Sequence, residues 1–503
     1  MQFSRNFPQR SLQAVHHSVP TLLGGRLKKN LDHNTDEKSR VEDESLKKTK
    51  IICTIGPASL QTEILQKMYQ AGMNGARINT AYGTLDQYRL IVDNVRETAD
   101  IPIIVDIKGP EIRLRVQRKR TVKKGDVLEV GFNHEEISFN HDFYDRMSIA
   151  DDVYIDNGKI RTRVIEKDNG MLRLLVMNDG EISDGKGVNI PNKRLSVPTL
   201  SKKDLEIVEF AKKNDVEYIA LSFTRSVQDV EVLKSKAHEF EGAIIAKIEN
   251  FEGVKNFEEI VGSVEGIMVA RGDLGVEIRP ERVPLVQKSL IRLCNQRGKT
   301  VVTATEMLES MMHRSNPTRA EVSDVANAIL DGTDATMLSG ETSIGDYPVD
   351  SVSMMSRIAK ETETAVRSKI EDREFINISD TVSKSIQRTC QNMPIDKIVT
   401  LTRSGYTAKM IARFKVVPPI IAVTPEKRVK KQLELVFGVY PIQMDYRKEE
   451  DRILAVAKNL RSMNLVNDED TVLFTAASRT ITKHASNLIE IHNIRELMGF
   501  MKK

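Results

Sequence analysis

Lys247 and Glu249 stand two residues apart in the run AIIAKIE, and Asp273 follows in ARGDLG. On an extended strand, positions i and i+2 face the same way, so this ammonium and carboxylate would share one face. Two carboxylates, completed by substrate oxygens and water, suit Mg²⁺ or Mn²⁺, hard cations that prefer oxygen. A lysine beside such an ion is an arrangement that stabilises a phosphoryl group in transfer. Gly272 precedes Asp273 at a helix start, where backbone amides would grip a substrate carboxylate. Arg77 and Arg113 add forked donors for phosphate oxygens.

What must position these groups is a repeated βα pattern. Eight short apolar runs (KIICTIG, GARINT, IPIIVDI, EYIALSF, AIIAKIE, GIMVAR, TVVTATE and DATMLSG) alternate with amphipathic stretches. Eight βα units predict a closed (β/α)8 TIM barrel of α/β class, whose chemistry lies at the C-terminal ends of the strands. Those ends carry Thr54, Arg77, Asn79, Asp106, Lys108, Ser222, Lys247, Glu249, Arg271, Asp273, Thr305, Glu306, Ser339 and Glu341. Any one of them is explained by a structural ion pair; a barrel without function has no need of the whole set. In LQTEILQKMYQAG the spacing predicts a helix ending at Gly72, and Ser201 with Asp204 predicts the start of another.

Two further units interrupt or follow the barrel. Residues 114–198 read as a small inserted all-β lid domain, with DNG and NDG clusters as turn signals. Residues 371–503 read as an open α/β domain, leaving 48–113 and 199–370 to the barrel. The TRSGYT turn, residues 402–407, offers a helix start suited to a phosphate or to an ordinary cap.

Composition narrows the classes. Charged residues are 29% and hydrophobic ones 40%, a globular balance, and the net charge of +4 supplies no basic field for nucleic acid. No apolar run reaches the roughly 18–20 residues of a membrane span. Cys53, Cys294 and Cys390 lie far apart, which excludes a disulfide scaffold and a cysteine zinc cluster. No GxxxxGK[ST] loop exists, since Leu293 stands where RGKT would need its first glycine. Residues 1–47 read as an extension ending in a charged linker. Within it, residues 1–31 hold five basic residues and no acidic one, matching either a disordered tail or an organelle transit peptide.

Over 48–495 the chain resembles the pyruvate kinase family, through KIICTIGPAS, GMNGARIN, VDIKGPEIR, KGVNIP, KIENFEGV, GIMVARGDLGVEI, PTRAEVSDVANAILDG and MLSGETSIGDYP. The resemblance implies transfer of the phosphoryl group of phosphoenolpyruvate to ADP, giving pyruvate and ATP in the last step of glycolysis. It assigns Lys247 to the migrating phosphoryl, Glu249 and Asp273 to Mg²⁺, and the backbone at Ala270, Arg271, Gly272 and Asp273, with Thr305, to the substrate carboxylate. Arg77 would touch the phosphoryl group, while Pro57, Tyr82, Arg113 and Lys186 would line the nucleotide, Lys186 closing over it from the lid. Thr305 and Ser339 are candidates for protonating the enolate through water. A homotetramer in the cytoplasm is the family default, an organelle the alternative if the leader is a transit peptide.

The family also holds a monovalent cation, usually K⁺, at positions matching Asn79, Ala81, Asp106 and the carbonyl of Ile107. Here NTAYG stands for the usual NFSHG, so Ala81 removes a hydroxyl ligand and Tyr82 replaces a histidine. Glu111, by contrast, is the residue type that accompanies cation dependence, and the combination predicts a weakened or altered requirement. Glu306 stands for a common glutamine and Asn157 for an aspartate. For an effector, Thr402, Ser404 and Thr407 would ligate a phosphate, and the separate segment 478–486 offers Arg479, Lys483 and His484. Two other readings carry weight: a catalytically weak regulatory paralogue, and a Mg²⁺-dependent lyase of the phosphoenolpyruvate/pyruvate barrel group.

Overall fold

The computed structural model describes residues 47–499 except 110, 133–135, 157, 192, 194, 196, 369, 371–376 and 478–485. The expectations on the leader, Asn157, Arg479, Lys483 and His484 lie outside the described residues. Eight parallel strands close into a barrel: β1 (Lys50–Thr54), β2 (Gly75–Asn79), β3 (Ile103–Ile107), β4 (Tyr218–Leu221), β5 (Ala243–Ile248), β6 (Gly266–Ala270), β7 (Thr300–Ala304) and β8 (Ala335–Leu338). They are the eight runs read from the sequence, and β1 pairs with both β2 and β8.

Both faces of these strands are covered. Ile52, Ile104, Ile245, Met268, Val302 and Met337 pack inside the barrel, while Ile51, Cys53, Val105 and Val269 pack outward with the helices. That two-sided burial is why the strands read as continuous apolar runs. Helix Thr62–Gln70 stops before Gly72, whose φ of +115° a side chain would resist. Ser201 and Asp204 exchange hydrogen bonds in a capping box at the start of helix Lys202–Lys213, as their spacing predicts.

Strands Val127–Val130, Asp152–Ile155, Ile160–Asp168, Met171–Val176 and Val188–Asn189 form the main sheet of the insertion. Asn169 and Gly170, with φ of +46° and +78°, make the tight hairpin turn that DNG announces. NDG behaves differently. Strand Gly180–Ile182 pairs with Arg120–Val122 in a separate sheet, so this turn moves the chain between sheets and closes no hairpin.

Past the barrel, strands Val439–Gln443, Ile420–Thr424, Lys397–Leu401 and Thr471–Ala476 lie parallel in that order, with antiparallel Leu488–Asn493 at the edge. Leu435 of this unit inserts into the barrel's inner core. A Cβ on Gly75 would lie 2.9 Å from its Cδ2, so glycine is required where the plug enters. With one end plugged, the open end is left for chemistry.

Candidate active site

The strand-end polar residues form one connected network at the open mouth. Lys247, on β5, places its ammonium 2.9 Å from Glu249 Oε1, 3.1 Å from Asp106 and 2.7 Å from Ser222 Oγ. Asp106, on β3, also accepts from Ser222 Oγ at 3.0 Å and from Arg77 Nε at 2.8 Å. Arg77 in turn donates to Thr54 Oγ1 at 2.9 Å. Asp273, in the helix Arg271–Glu277 that follows β6, lies near enough for its charge to act on both Glu249 and Lys247. Lysine and both carboxylates therefore meet.

Burial makes the electrostatics strong. Desolvation opposes ionisation of Asp106, yet Lys247 and Arg77 outweigh it and hold that carboxyl below its usual range. Lys247 is raised despite burial, because Asp106 and Glu249 stabilise its charge. Glu249 and Asp273 are both pushed up, by burial first, with Asp273 adding to the effect on Glu249. Two adjoining carboxylates that resist ionisation are what a hard divalent cation relieves, so the donor set fits Mg²⁺ or Mn²⁺. Among the described residues no cluster of three or more His, Cys, Asp or Glu offers a metal cage.

The local backbone is held in costly shapes to build this mouth. Phe223 has φ of +51°, and its amide donates to Glu249 Oε2 at 2.7 Å. Thr305 and Glu306, with φ of +65° and +52°, lie in the left-handed region, disfavoured for a β-branched threonine. Arg271 stabilises that turn: its Nη2 donates to the carbonyls of Thr305 and Glu306, both at 2.7 Å, and its Nη1 pairs with Asp324 at 2.7 Å. This guanidinium faces the scaffold, and only its backbone lies at the mouth. The Gly272 amide, expected to be free for a carboxylate, donates to Thr305 Oγ1 at 2.8 Å. Glu341 also serves the scaffold, accepting from the amides of Leu308 and Ser339. Ser339 Oγ is buried without a hydrogen-bond partner among the described residues.

Comparison with known proteins agrees with this geometry. The pyruvate kinase barrel-domain family matches residues 46–352, and the pyruvate kinase alpha/beta-domain family matches 380–492. A pyruvate kinase from Sporosarcina psychrophila is 40% identical over 479 residues, covering 90% of this chain and 82% of the relative. One from Geobacillus stearothermophilus is 40% identical, with 90% and 81% covered. The crystal structure of a pyruvate kinase from Cryptosporidium parvum superposes with a TM-score of 0.83 at 32% identity, covering 91% of this chain and 97% of that one. The chain belongs to the pyruvate kinase family.

As a member of the pyruvate kinase family it is a phosphotransferase. The remaining expected positions differ in how far they are free to bind ligands. Arg113 is paired with Glu111 at 2.8 Å and donates to the Gly185 carbonyl, while Lys186 is paired with Asp156 at 3.0 Å. Pro57 and Tyr82 are exposed, and Ala270 is buried. The Tyr88 hydroxyl, which sequence reasoning missed, lies 2.6 Å from the Tyr82 carbonyl and 3.1 Å from those of Thr80 and Gly83, shaping the NTAYG loop.

The monovalent-cation positions make a poor cage. Asn79 Oδ1 accepts from the Ala81 amide at 3.2 Å, Asp106 is occupied by three donors, and the Ile107 carbonyl accepts from Ser222 at 3.4 Å. Ala81 contributes no side-chain oxygen. In the C-terminal unit, Thr402 Oγ1 accepts from the Gly405 amide at 3.0 Å and Thr407 Oγ1 pairs with Ser486 Oγ at 2.8 Å. Ser404 Oγ accepts only weakly from Tyr406, at 3.5 Å. Helix Tyr406–Ala412 begins at Gly405, whose φ is +77°, with no side-chain cap among the described residues.

Proposed function

We propose that Lys247, Glu249 and Asp273 carry the transfer of the phosphoryl group from phosphoenolpyruvate to ADP. The observation that supports this is their meeting at the mouth, lysine against Glu249 and Glu249 against Asp273. Lys247 neutralises charge on the phosphoryl oxygens, and Arg77, anchored by Asp106, orients the group from the other side. Glu249 and Asp273 would hold Mg²⁺, which when bound supplies charge neutralisation to phosphate oxygens. Backbone from Ala270 to Asp273, with Thr305, positions the substrate carboxylate. Lys186 and Arg113 leave their carboxylate partners for the nucleotide, and the lid excludes water that would hydrolyse the phosphoryl group. The enolate left behind takes a proton to become pyruvate. The Ser339 hydroxyl, without a partner among the described residues, is the candidate route through water.

K⁺ acts weakly if at all, because Ala81 leaves its site short of an oxygen. A homotetramer, a cytoplasmic location and an effector pocket at Thr402, Ser404 and Thr407 belong to this reading as family expectations. Among the described residues no helix is long and apolar enough to cross a membrane. No observation favours the regulatory-paralogue or lyase alternative.

A coupled assay with phosphoenolpyruvate, ADP and Mg²⁺, with and without K⁺, tests the reading. Pyruvate should form in both conditions, and Lys247→Met should lower kcat by roughly 10²–10³-fold. A folded wild type that makes no pyruvate, or a Lys247→Met variant at full rate, would overturn it.

A further inference from the structure

The lid touches the barrel at a place that the chemistry above does not use. Asn189 Nδ2, in the last lid strand, donates to Glu277 Oε1 at 2.8 Å. Glu277 ends the short helix that carries Asp273, and Asn189 lies three residues beyond Lys186. Beside this bond, a Cβ on Gly158 would lie 3.5 Å from Val276 Cγ1, so the turn at Gly158 (φ +79°) rests on the same helix end. That turn also contains Asp156, the carboxylate that holds Lys186 at 3.0 Å. The end of one short helix is thus the seat for both lid segments that place Lys186.

Glu277 is suited to that task. Its carboxyl receives one hydrogen bond among the described residues, the one from Asn189. Burial pushes the group up to about 7, with Asp273 and Glu252 adding to the effect. A carboxyl set in so unfavourable a place, and used neither for metal nor for the internal scaffold, calls for a role at the domain boundary.

We infer that Glu277 is a positioning residue for the nucleotide: through Asn189 it seats the lid on the helix of Asp273, and so sets where Lys186 meets the nucleotide phosphates. This rests on the proposed nucleotide role of Lys186. It adds a coupling between lid closure and the metal-bearing helix that neither Lys186 nor Asp273 provides alone.

The test uses the full chain with Glu277→Ala, Asn189→Ala, the double variant and Glu277→Gln. Each single alanine variant should raise the KM for ADP about tenfold, the effect of one lost hydrogen bond to a charged or strongly polar group. Phosphoenolpyruvate KM and kcat should stay unchanged, and the double variant should be no worse than either single. Glu277→Gln still accepts from Asn189 and should restore the wild-type KM. Hydrogen exchange of the amides at 158–160 and 186–190 should quicken in both alanine variants and not in Glu277→Gln. Because exchange needs no turnover, it tests the seat even if the wild type transfers no phosphoryl group. Multiplying losses in the double variant, equal rises in both KM values, or unaltered exchange would each overturn the inference.

Discussion

The barrel is joined to its neighbours at both ends, and the two junctions are built on opposite principles. At the plugged end, Leu435 is fully buried in the inner core, and buried polar pairs cross the junction beside it. Lys415 meets Asp334 at 2.7 Å with both side chains almost wholly covered, and Lys50 donates to the Val439 carbonyl at 2.6 Å. The Tyr218 hydroxyl reaches the Gln432 carbonyl at 2.9 Å. At the open end, the inserted unit is held by partly buried groups: Asn189 on Glu277, and Arg225 on the carbonyls of Leu195 and Val197. A fully buried charge that loses its partner has nowhere to go, whereas one nearer the surface is taken up by water at lower cost. The plugged junction should therefore cost more to open than the other, in keeping with the lid role proposed for the inserted unit.

The sharpest way to break this contrast is Lys415→Ala. It would strand Asp334, which also accepts from the amides of Val301 and Phe437, inside the plugged junction. We expect a loss of about 3–5 kcal/mol in stability, read as a large fall in melting temperature. A variant that melts like the parent would show that the lower junction is no more fixed than the upper.

A smaller effect is expected from Arg225→Ala. Its guanidinium, paired with Asp229 at 2.7 Å, holds the chain returning from the lid. Loss of about 1–2 kcal/mol should accompany faster tryptic cleavage within 114–198, with the C-terminal unit still protected. Cleavage of both units at the same increased rate would count against separate junctions.

The smallest effect concerns pH. Glu277 has a folded-state value near 7, above that of an unfolded glutamate, so the folded protein binds its proton more tightly. Its contribution is fully present below the ordinary glutamate range and is lost as pH rises through about 7. The lid should accordingly be more protected from exchange at the acidic end of that window, and Glu277→Gln should flatten the profile.

Much of this architecture was readable before any coordinates. Continuous apolar runs marked the eight strands because both of their faces are covered, and the polar residue types at their ends marked the mouth. Ser201 with Asp204, and Asn169 with Gly170, announced a cap and a turn because such signals act within a few residues. Arg271 showed the limit: its type suggested a mouth residue, yet its side chain clamps the strained Thr305–Glu306 turn from behind. NDG likewise signalled a turn without telling which sheet would receive the next strand.

Periodicity, caps and residue chemistry reside in short windows of chain, so the barrel, the acidic pair and the lysine followed from order and spacing alone. Which donor each acceptor takes is settled only when distant segments meet. Asn189 and Glu277 are separated by 88 positions, and Lys415 and Asp334 by 81. No local preference links either pair; packing brings them together, and the free energy of burying each group without its partner keeps them there.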